Sequence, residues 1–292
     1  LSIRFSSARR EGDPAEAYHY PEQLRPFIDA LPTGPGVYVF HSDNDVMPLY
    51  IGKSVNIRSR VMSHLRTVDE ARMLRQARRI TWYPTAGEIG ALLLEARMIK
   101  QLQPLHNKRL RRSRQLCSIQ LSGGLPNILF STEIDFARSP DLYGLFPSRR
   151  AAQHALMDIA DEESLCYGLL GLEKLTRGRS CFRFHLGRCA GACCGKQSPQ
   201  DHWLRLTDAL QQMRIVSWPY GGAIGLVEQS PQLRQIHVVN NWYYLGSVSH
   251  LAEAASLSKV AKSFDRDGYH ILNGPILSGR YDIIELDAGT PA

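Results

Sequence analysis

Two tyrosines, a lysine and two arginines crowd into the short segments GVYVF, Gly36 to Phe40, and YIGKSVNIRSR, Tyr50 to Arg60. Strand alternation puts Tyr38 on the face opposite Val37 and Val39, while Tyr50 lies on a second extended piece that approaches the first across a hairpin. Two adjacent phenols can form a hydrogen-bonded pair, and a nearby cation eases deprotonation of one of them. Packing alone would explain the tyrosines, but the cations change the balance. Lys53 follows the second strand, and Arg60 and His64 stand four apart on one helix face. Such cations suit a phosphodiester, whose five-coordinate transition state gathers negative charge. Glu95, four residues before Ile99, falls near the apolar side of its helix, where an unpaired carboxylate is expensive to bury. One carboxylate completed by Asn or water is a reasonable seat for Mg²⁺, which takes few protein ligands.

These residues need a scaffold, and the pattern supplies one. GVYVF and Leu49–Ile51 flank the polar turn HSDNDVMP as a hairpin. Ser54 or Asn56 caps a helix through about Leu65, with Ile57, Val61 and Leu65 on one face. Glu70–Arg79 reads as a helix and Ile80–Tyr83 as a third strand. Thr85 and Glu88 have capping-box spacing before a helix that runs to about Leu102 and stops ahead of Pro104. The expectation is a small α/β domain over residues 32–110, with a central antiparallel sheet and flanking helices, preceded by an arm and short helix over 1–31. Residues 111–195 read as a hairpin and helix unit followed by a cysteine-rich region, and 196–292 as a small strand-rich C-terminal domain.

The chain has 292 residues, long enough for two or three small domains, and 43% of them are hydrophobic, which argues against wholesale disorder. Neither a membrane-spanning apolar run nor a secretory leader stands out, so the cytoplasm is the expected compartment. The first 120 residues carry 19 Lys/Arg against 11 Asp/Glu, the remainder 16 against 17, so the positive charge is concentrated at the front. From Arg97 to Arg114 every charged residue is basic, including Lys100, Lys108, Arg109, Arg111, Arg112 and Arg114. With Arg58, these are candidate contacts to a polyanionic backbone such as DNA. Cys166, Cys181, Cys189 and Cys193 point to a metal rather than to disulfides. Their irregular spacing leaves open an iron–sulfur cluster, Zn²⁺ or simply buried thiols. Arg177, Arg179, Arg183 and Arg188 lie among them as further DNA backbone candidates.

The segments LPTGPGVYVF, PLYIGKSVNIRSRV and GALLLEARMIKQLQPLHNKRL resemble the GIY-YIG nuclease family, GVY and YIG standing for its two name motifs. Within that family the likeness is to the nuclease half of the UvrC excinuclease subunit and its short bacterial homologues. The resemblance implies Tyr50 as general base, Tyr38 as its hydrogen-bonded companion, and catalytic roles for Lys53, Arg60 and Asn107. It implies Glu95 as the ligand of one Mg²⁺ or Mn²⁺. His64 stands where the UvrC type carries a tyrosine. The cysteine region around GRCAGAC implies a [4Fe–4S] cluster, with Zn²⁺ the alternative. The expected activity is a single incision 3′ to a lesion in damaged double-stranded DNA, by a monomer acting with a UvrB–DNA complex. The chain has no room for a second, RNase H-like nuclease or for helix-hairpin-helix modules. Trp242, Tyr243 and Tyr244 are candidates for a partner-docking surface on the C-terminal unit. A noncatalytic DNA-binding scaffold of the same fold is the competing reading, and it leaves Glu95 unexplained. A restriction or homing nuclease is disfavoured by the cysteine-rich extension.

Overall fold

The structure is a computed structural model and describes residues 20–44, 47–107, 115–176, 179–257 and 264–286. A 3₁₀ turn at Glu22–Leu24 leads into α1 (Arg25–Ile28). Strand β1 (Gly36–His41) then takes the centre of a three-stranded antiparallel sheet, between β2 (Tyr50–Ser54) and β3 (Arg79–Pro84). Its alternation sorts the side chains as the sequence pattern requires. Val37 and Val39 pack with Ile51 and Ile99 on one face, whereas Tyr38 and Phe40 join Ile57, Val61 and Leu65 on the other.

Helix α2 (Ile57–His64) starts at Asn56, whose side chain accepts from the Ser59 N–H at 2.9 Å. A 3₁₀ turn at Val68–Glu70 precedes α3 (Ala71–Gln76), so the helix expected from Glu70 begins one residue later and ends early. Helix α4 (Glu88–Leu102) ends at Gln103, whose left-handed φ of 45° breaks the chain before Pro104. The expected Thr85/Glu88 capping box does not form. Gly87 is the N-cap, Thr85 Oγ1 donates to the Gly87 carbonyl, and the cap comes instead from Glu228, 139 residues away.

The second sheet contains β4 (Cys117–Ser122), β5 (Leu125–Phe130) and β6 (Leu142–Phe146) in the antiparallel order β5-β4-β6. Helix α5 (Arg149–Glu162), the short α6 (Phe182–His185) and α7 (Pro199–Leu210) follow. Leu206 and Leu210 of α7 share a core with Ala152, Leu156 and Ile119, so the helix expected at the start of the C-terminal unit packs with the middle one. The boundary at 195/196 therefore falls inside this packing unit.

The last sheet has the antiparallel order β10-β7-β8-β9, built from β7 (Ile224–Gln229), β8 (Arg234–Asn240), β9 (Tyr243–Val248) and β10 (Asp282–Glu285). Helices α8 (Leu251–Leu257) and α9 (Arg266–Leu277) accompany it. Asn241 and Trp242, at φ 52° and 65°, form the turn between β8 and β9. Trp242 is wholly buried against Trp218 and Tyr269, which removes it from the candidates for a docking surface. One core joins all three units, bringing Ile89 and Leu93 of α4 together with Phe136, Leu142, Leu226 and Leu272. No helix among the described residues is long and apolar enough to cross a membrane.

Candidate active site

Tyr38, Phe40, Tyr50 and His64 form a single ring cluster on the α2 face of the first sheet. Ring centroids lie 6.2 Å apart for Tyr38 and Tyr50, 5.4 Å for Tyr38 and His64, and 5.3 Å for Tyr50 and His64. The Tyr38 hydroxyl meets His64 Nε2 at 2.6 Å, and His64 Nδ1 is hydrogen-bonded to the Glu70 carboxylate. Gly52 faces Tyr38 across the β1–β2 ladder, and a Cβ at that position would collide with the Tyr38 hydroxyl and the Tyr50 ring. The last glycine of the YIG motif is thus required by the tyrosines themselves.

Burial raises the pKa of both phenols, and Arg60 on α2 opposes the rise in each. The exposed guanidinium lies near enough to Tyr38 that its own pKa is raised by the phenol. Burial also lowers the His64 pKa, against the raising effect of Glu70. At neutral pH the cluster is therefore two phenols and a neutral imidazole, with one cation at its rim.

Glu95 projects from α4 toward β2, where its Oε1 accepts from the Lys53 N–H at 3.1 Å. Burial raises its pKa, partly offset by Lys53. A half-buried carboxylate with one oxygen committed to a backbone donor retains lone pairs for a hard cation, so the donor set fits Mg²⁺ or Mn²⁺. The Lys53 ammonium pairs with Glu88 at 3.1 Å, one first-turn residue of the same helix. Asn107 spends its amide on Ile51: Oδ1 accepts from the N–H at 3.0 Å and Nδ2 donates to the carbonyl at 2.8 Å. It extends the edge of β2 beside Tyr50 and Gly52, holding the strand that carries Tyr50.

The basic candidates separate in the same way. Arg58 and Arg188 are exposed. Lys100 is not a free cation: its Nζ lies 2.5 Å from Asp265 and 2.8 Å from Asp267, tying α4 to the start of α9. Arg183 is also withdrawn from DNA contact. It is 9% exposed, stacks 3.8 Å above the Tyr167 ring and pairs with Asp161 at 2.6 Å. Lys108, Arg109, Arg111, Arg112, Arg114 and Arg177 lie outside the described residues.

The thiols of Cys166, Cys181, Cys189 and Cys193 all lie within 4.8 Å of one another, three of the residues buried. Four convergent sulfurs with no competing carboxylate or imidazole in the set fit a thiophilic metal centre. Burial pushes the Cys189 thiol up to about 11 and raises Cys166 as well. For Cys193 burial also acts upward, but hydrogen bonds from Cys181, Cys166 and Cys189 outweigh it and lower the pKa. Cys194 is exposed and outside the quartet, and Cys117 is buried in β4.

Two contributors lay beyond sequence reasoning. Glu70 follows His64 by six residues in a turn with no recurring pattern, and Glu228 reaches α4 from another sheet.

Residues 34–108 match the UvrC-like GIY-YIG domain, residues 116–212 the middle domain of the UvrC/Cho excinucleases, and residues 223–290 the C-terminal domain of excinuclease Cho. Excinuclease cho of Escherichia coli strain K12 is 60% identical over 284 residues, covering 97% of this chain and 96% of that protein. The Salmonella typhimurium LT2 protein of the same name is 60% identical over 283 residues, with 97% of each covered. The UvrABC system protein C of Deinococcus radiodurans is 30% identical over 176 residues, which are 60% of this chain and 28% of that protein. A solved GIY-YIG N-terminal endonuclease domain of UvrC from Thermotoga maritima, bound to its catalytic divalent cation magnesium, is 33% identical. It covers 30% of this chain and 97% of its own, with a TM-score of 0.27. With its length shared almost end to end with the Cho proteins, the chain belongs to the UvrC/Cho excinuclease family, GIY-YIG DNA endonucleases of nucleotide excision repair.

Proposed function

We propose that this endonuclease hydrolyses one phosphodiester on the 3′ side of a lesion, acting as a cytoplasmic monomer on damaged duplex already held by UvrB. The observation that carries the reading is the meeting of Tyr38, Tyr50 and His64 on one sheet face, with Arg60 at the rim. DNA affinity alone requires neither buried phenols nor a half-buried acid.

Tyr50 is the general base in this scheme. Its half-exposed oxygen, once its own proton has left it, takes a proton from the attacking water. Arg60, beside Tyr38 and open to solvent, lies against a phosphoryl oxygen and offsets the charge that grows there. Lys53 lends its N–H to orient Glu95 and carries its ammonium, paired with Glu88, on the same edge. Asn107 keeps β2 in register so that Tyr50 holds its place. Glu95, completed by water, would hold one Mg²⁺ or Mn²⁺, which when bound neutralises the leaving 3′ oxygen.

Arg58, Arg188 and the basic run through Arg114 bind backbone phosphates, and the C-terminal unit docks on UvrB. The four-thiol centre holds a [4Fe–4S] cluster, with Zn²⁺ the alternative. Zinc bonds of about 2.3 Å suit sulfurs this close, whereas a cubane needs them to spread. With no open coordination position, the role of either centre is to fold the region rather than to react.

The test is denaturing-gel mapping of an end-labelled, lesion-containing duplex with UvrB, ATP and Mg²⁺, native protein beside Glu95→Gln. A single 3′-side cut that disappears in the variant supports the reading. Binding to the UvrB–DNA complex without any cut by the native protein would replace it with a scaffold role.

A further inference from the structure

His64 occupies a position where a hydrogen bond from Tyr38 can be answered in only one protonation pattern. Its Nδ1 faces the Glu70 carboxylate, which accepts and cannot donate when ionised. The proton of the neutral ring is thereby assigned to Nδ1, leaving Nε2 a bare acceptor. The Tyr38 hydroxyl, 2.6 Å from Nε2, must then be the donor. With its hydrogen committed to His64, the Tyr38 oxygen has only lone pairs to offer its neighbours Arg60 and Tyr50, both near enough to perturb it.

The geometry points to Glu70 as a positioning residue of the nuclease site, one that fixes the His64 tautomer and so directs a proton relay from Tyr50 through Tyr38 to His64. This rests on the reading of Tyr50 as general base. The steps balance without any electron transfer. Tyr50 passes its phenolic proton to the Tyr38 oxygen as Tyr38 passes its own to His64 Nε2. The imidazolium so formed faces the Glu70 carboxylate, and the Tyr50 phenolate takes a proton from water as the water oxygen bonds to phosphorus.

The surroundings argue for this direction. His64 is 3% exposed, so bulk water cannot take the proton at that point. The groups facing it are Tyr38 from β1, Tyr50 from β2, Arg60 from its own helix and Glu70 from the 3₁₀ turn. Three of those four are neutral or cationic, and Glu70 alone stabilises a charged imidazole. A tyrosine at 64 would have no tautomers to select, so a carboxylate at 70 gains its role from the histidine.

The experiment has two arms. In the first, single-turnover incision of the UvrB-loaded lesion duplex is followed across pH for the native chain, Glu70→Gln, Glu70→Asp, His64→Tyr and the His64→Tyr/Glu70→Gln double variant. Glu70→Gln should slow incision about 10- to 100-fold with unchanged binding to the UvrB–DNA complex and a displaced pH profile. Glu70→Asp should recover part of the rate, and the loss should vanish in the His64→Tyr background. In the second, ¹⁵N shifts of labelled histidine in the full chain report the His64 tautomer without any need for activity. The native ring should carry its proton on Nδ1, and Glu70→Gln should give a mixture. A native tautomer in Glu70→Gln, or an equal loss of rate with His64 replaced, overturns the inference. Absence of cutting by the native chain would instead count against the nuclease reading and leave the tautomer result to decide this one.

Discussion

The carboxylate of Glu228, on β7, accepts hydrogen bonds from the backbone N–H groups of Ile89 and Gly90, at 3.0 and 2.9 Å, on the first turn of α4. That helix carries Glu95, so the C-terminal sheet caps the element that presents the acid proposed to bind the metal. His237 Nε2 lies 2.9 Å from the same carboxylate, and His237 Nδ1 meets Ser247, which in turn bonds to Tyr244. At the other end of α4, Lys100 is gripped by Asp265 and Asp267. The helix is held at both ends by residues far along the chain. An anion at a helix N-terminus answers two of the orphan donors and complements the dipole.

Removing this cap should be costly and pH-dependent. Burial alone would raise the Glu228 pKa, but hydrogen bonds from His237, Gly90 and Ile89 outweigh it and hold it below its ordinary 4.5. A depressed folded-state pKa means stability that is present above pH 4.5 and lost as the pH falls through the lower folded value. Glu228→Gln should therefore lose about 1–3 kcal/mol at neutral pH, measured by urea denaturation, with the gap to the native protein closing in acid. A gap that persists unchanged in acid would mean the carboxylate's charge is not what caps α4.

Gly52 offers a sharper test of the site. A methyl group there meets the Tyr38 hydroxyl and the Tyr50 ring, and the tyrosines must separate or β2 must shift. Displacement of reacting groups by about 1 Å is worth about 100-fold in rate, so Gly52→Ala should lose at least that factor in incision while still binding the UvrB–DNA complex. Gly34→Ala is the control, since nothing lies within 4 Å of a Cβ at that position. Equal activity in the two variants would remove the phenol pair from the mechanism.

The first sheet was legible because its signals are local. Alternation in GVYVF placed Tyr38 against Val37 and Val39, and the structure splits them between two cores as that pattern requires. Asn56 and Pro104 marked their helix ends by backbone chemistry. The misread helix cap and surface cations share one cause, which is distance along the chain. Thr85 and Glu88 have the spacing of a cap, yet Glu228 competes for the same N–H groups with a carboxylate delivered by tertiary packing. Lys100 and Arg183 look like surface cations until Asp265, Asp267, Tyr167 and Asp161 fold against them. Trp242 reads as part of a strand, but it occupies a left-handed turn position that its burial stabilises. The α9 helix, with Gly268, Gly274 and Pro275 inside it, lacks the helix-forming composition that would have announced it.

The different environments of the basic residues separate folding from DNA binding. Each phosphate contact removed from duplex binding lowers the slope of log affinity against log salt by about 0.9. Arg58→Gln and Arg188→Gln should each reduce the slope by roughly that amount and leave the denaturation midpoint unchanged, because both side chains are exposed. Lys100→Gln should do the reverse. It strands Asp265 and Asp267 against α4, so it should destabilise the fold by about 1–3 kcal/mol with no change in salt slope. A salt slope that falls with Lys100→Gln would return that lysine to the DNA surface.

The thiol centre ties the middle unit together through more than its own loops. The Cys166 N–H donates to His202 Nε2 at 3.0 Å, so the first cysteine of the quartet is hydrogen-bonded directly to α7. Helix α7 in turn shares the core of Ile119, Leu156 and Leu206. Metal binding to thiolates is coupled to folding, and chelation should therefore lower the melting temperature of the whole unit rather than loosen one loop. Cys189→Ser removes one thiol from the convergent quartet and should abolish metal retention, with a fall in melting temperature of about 5 °C or more. Cys194→Ser, one residue past Cys193 but exposed and outside the quartet, should retain both metal and stability. Elemental analysis with acid-labile sulfide on the same samples identifies the centre: iron with sulfide for the cluster, zinc without it for the single ion. Equal metal loss from Cys194→Ser would show that the ligand set is not the four convergent thiols.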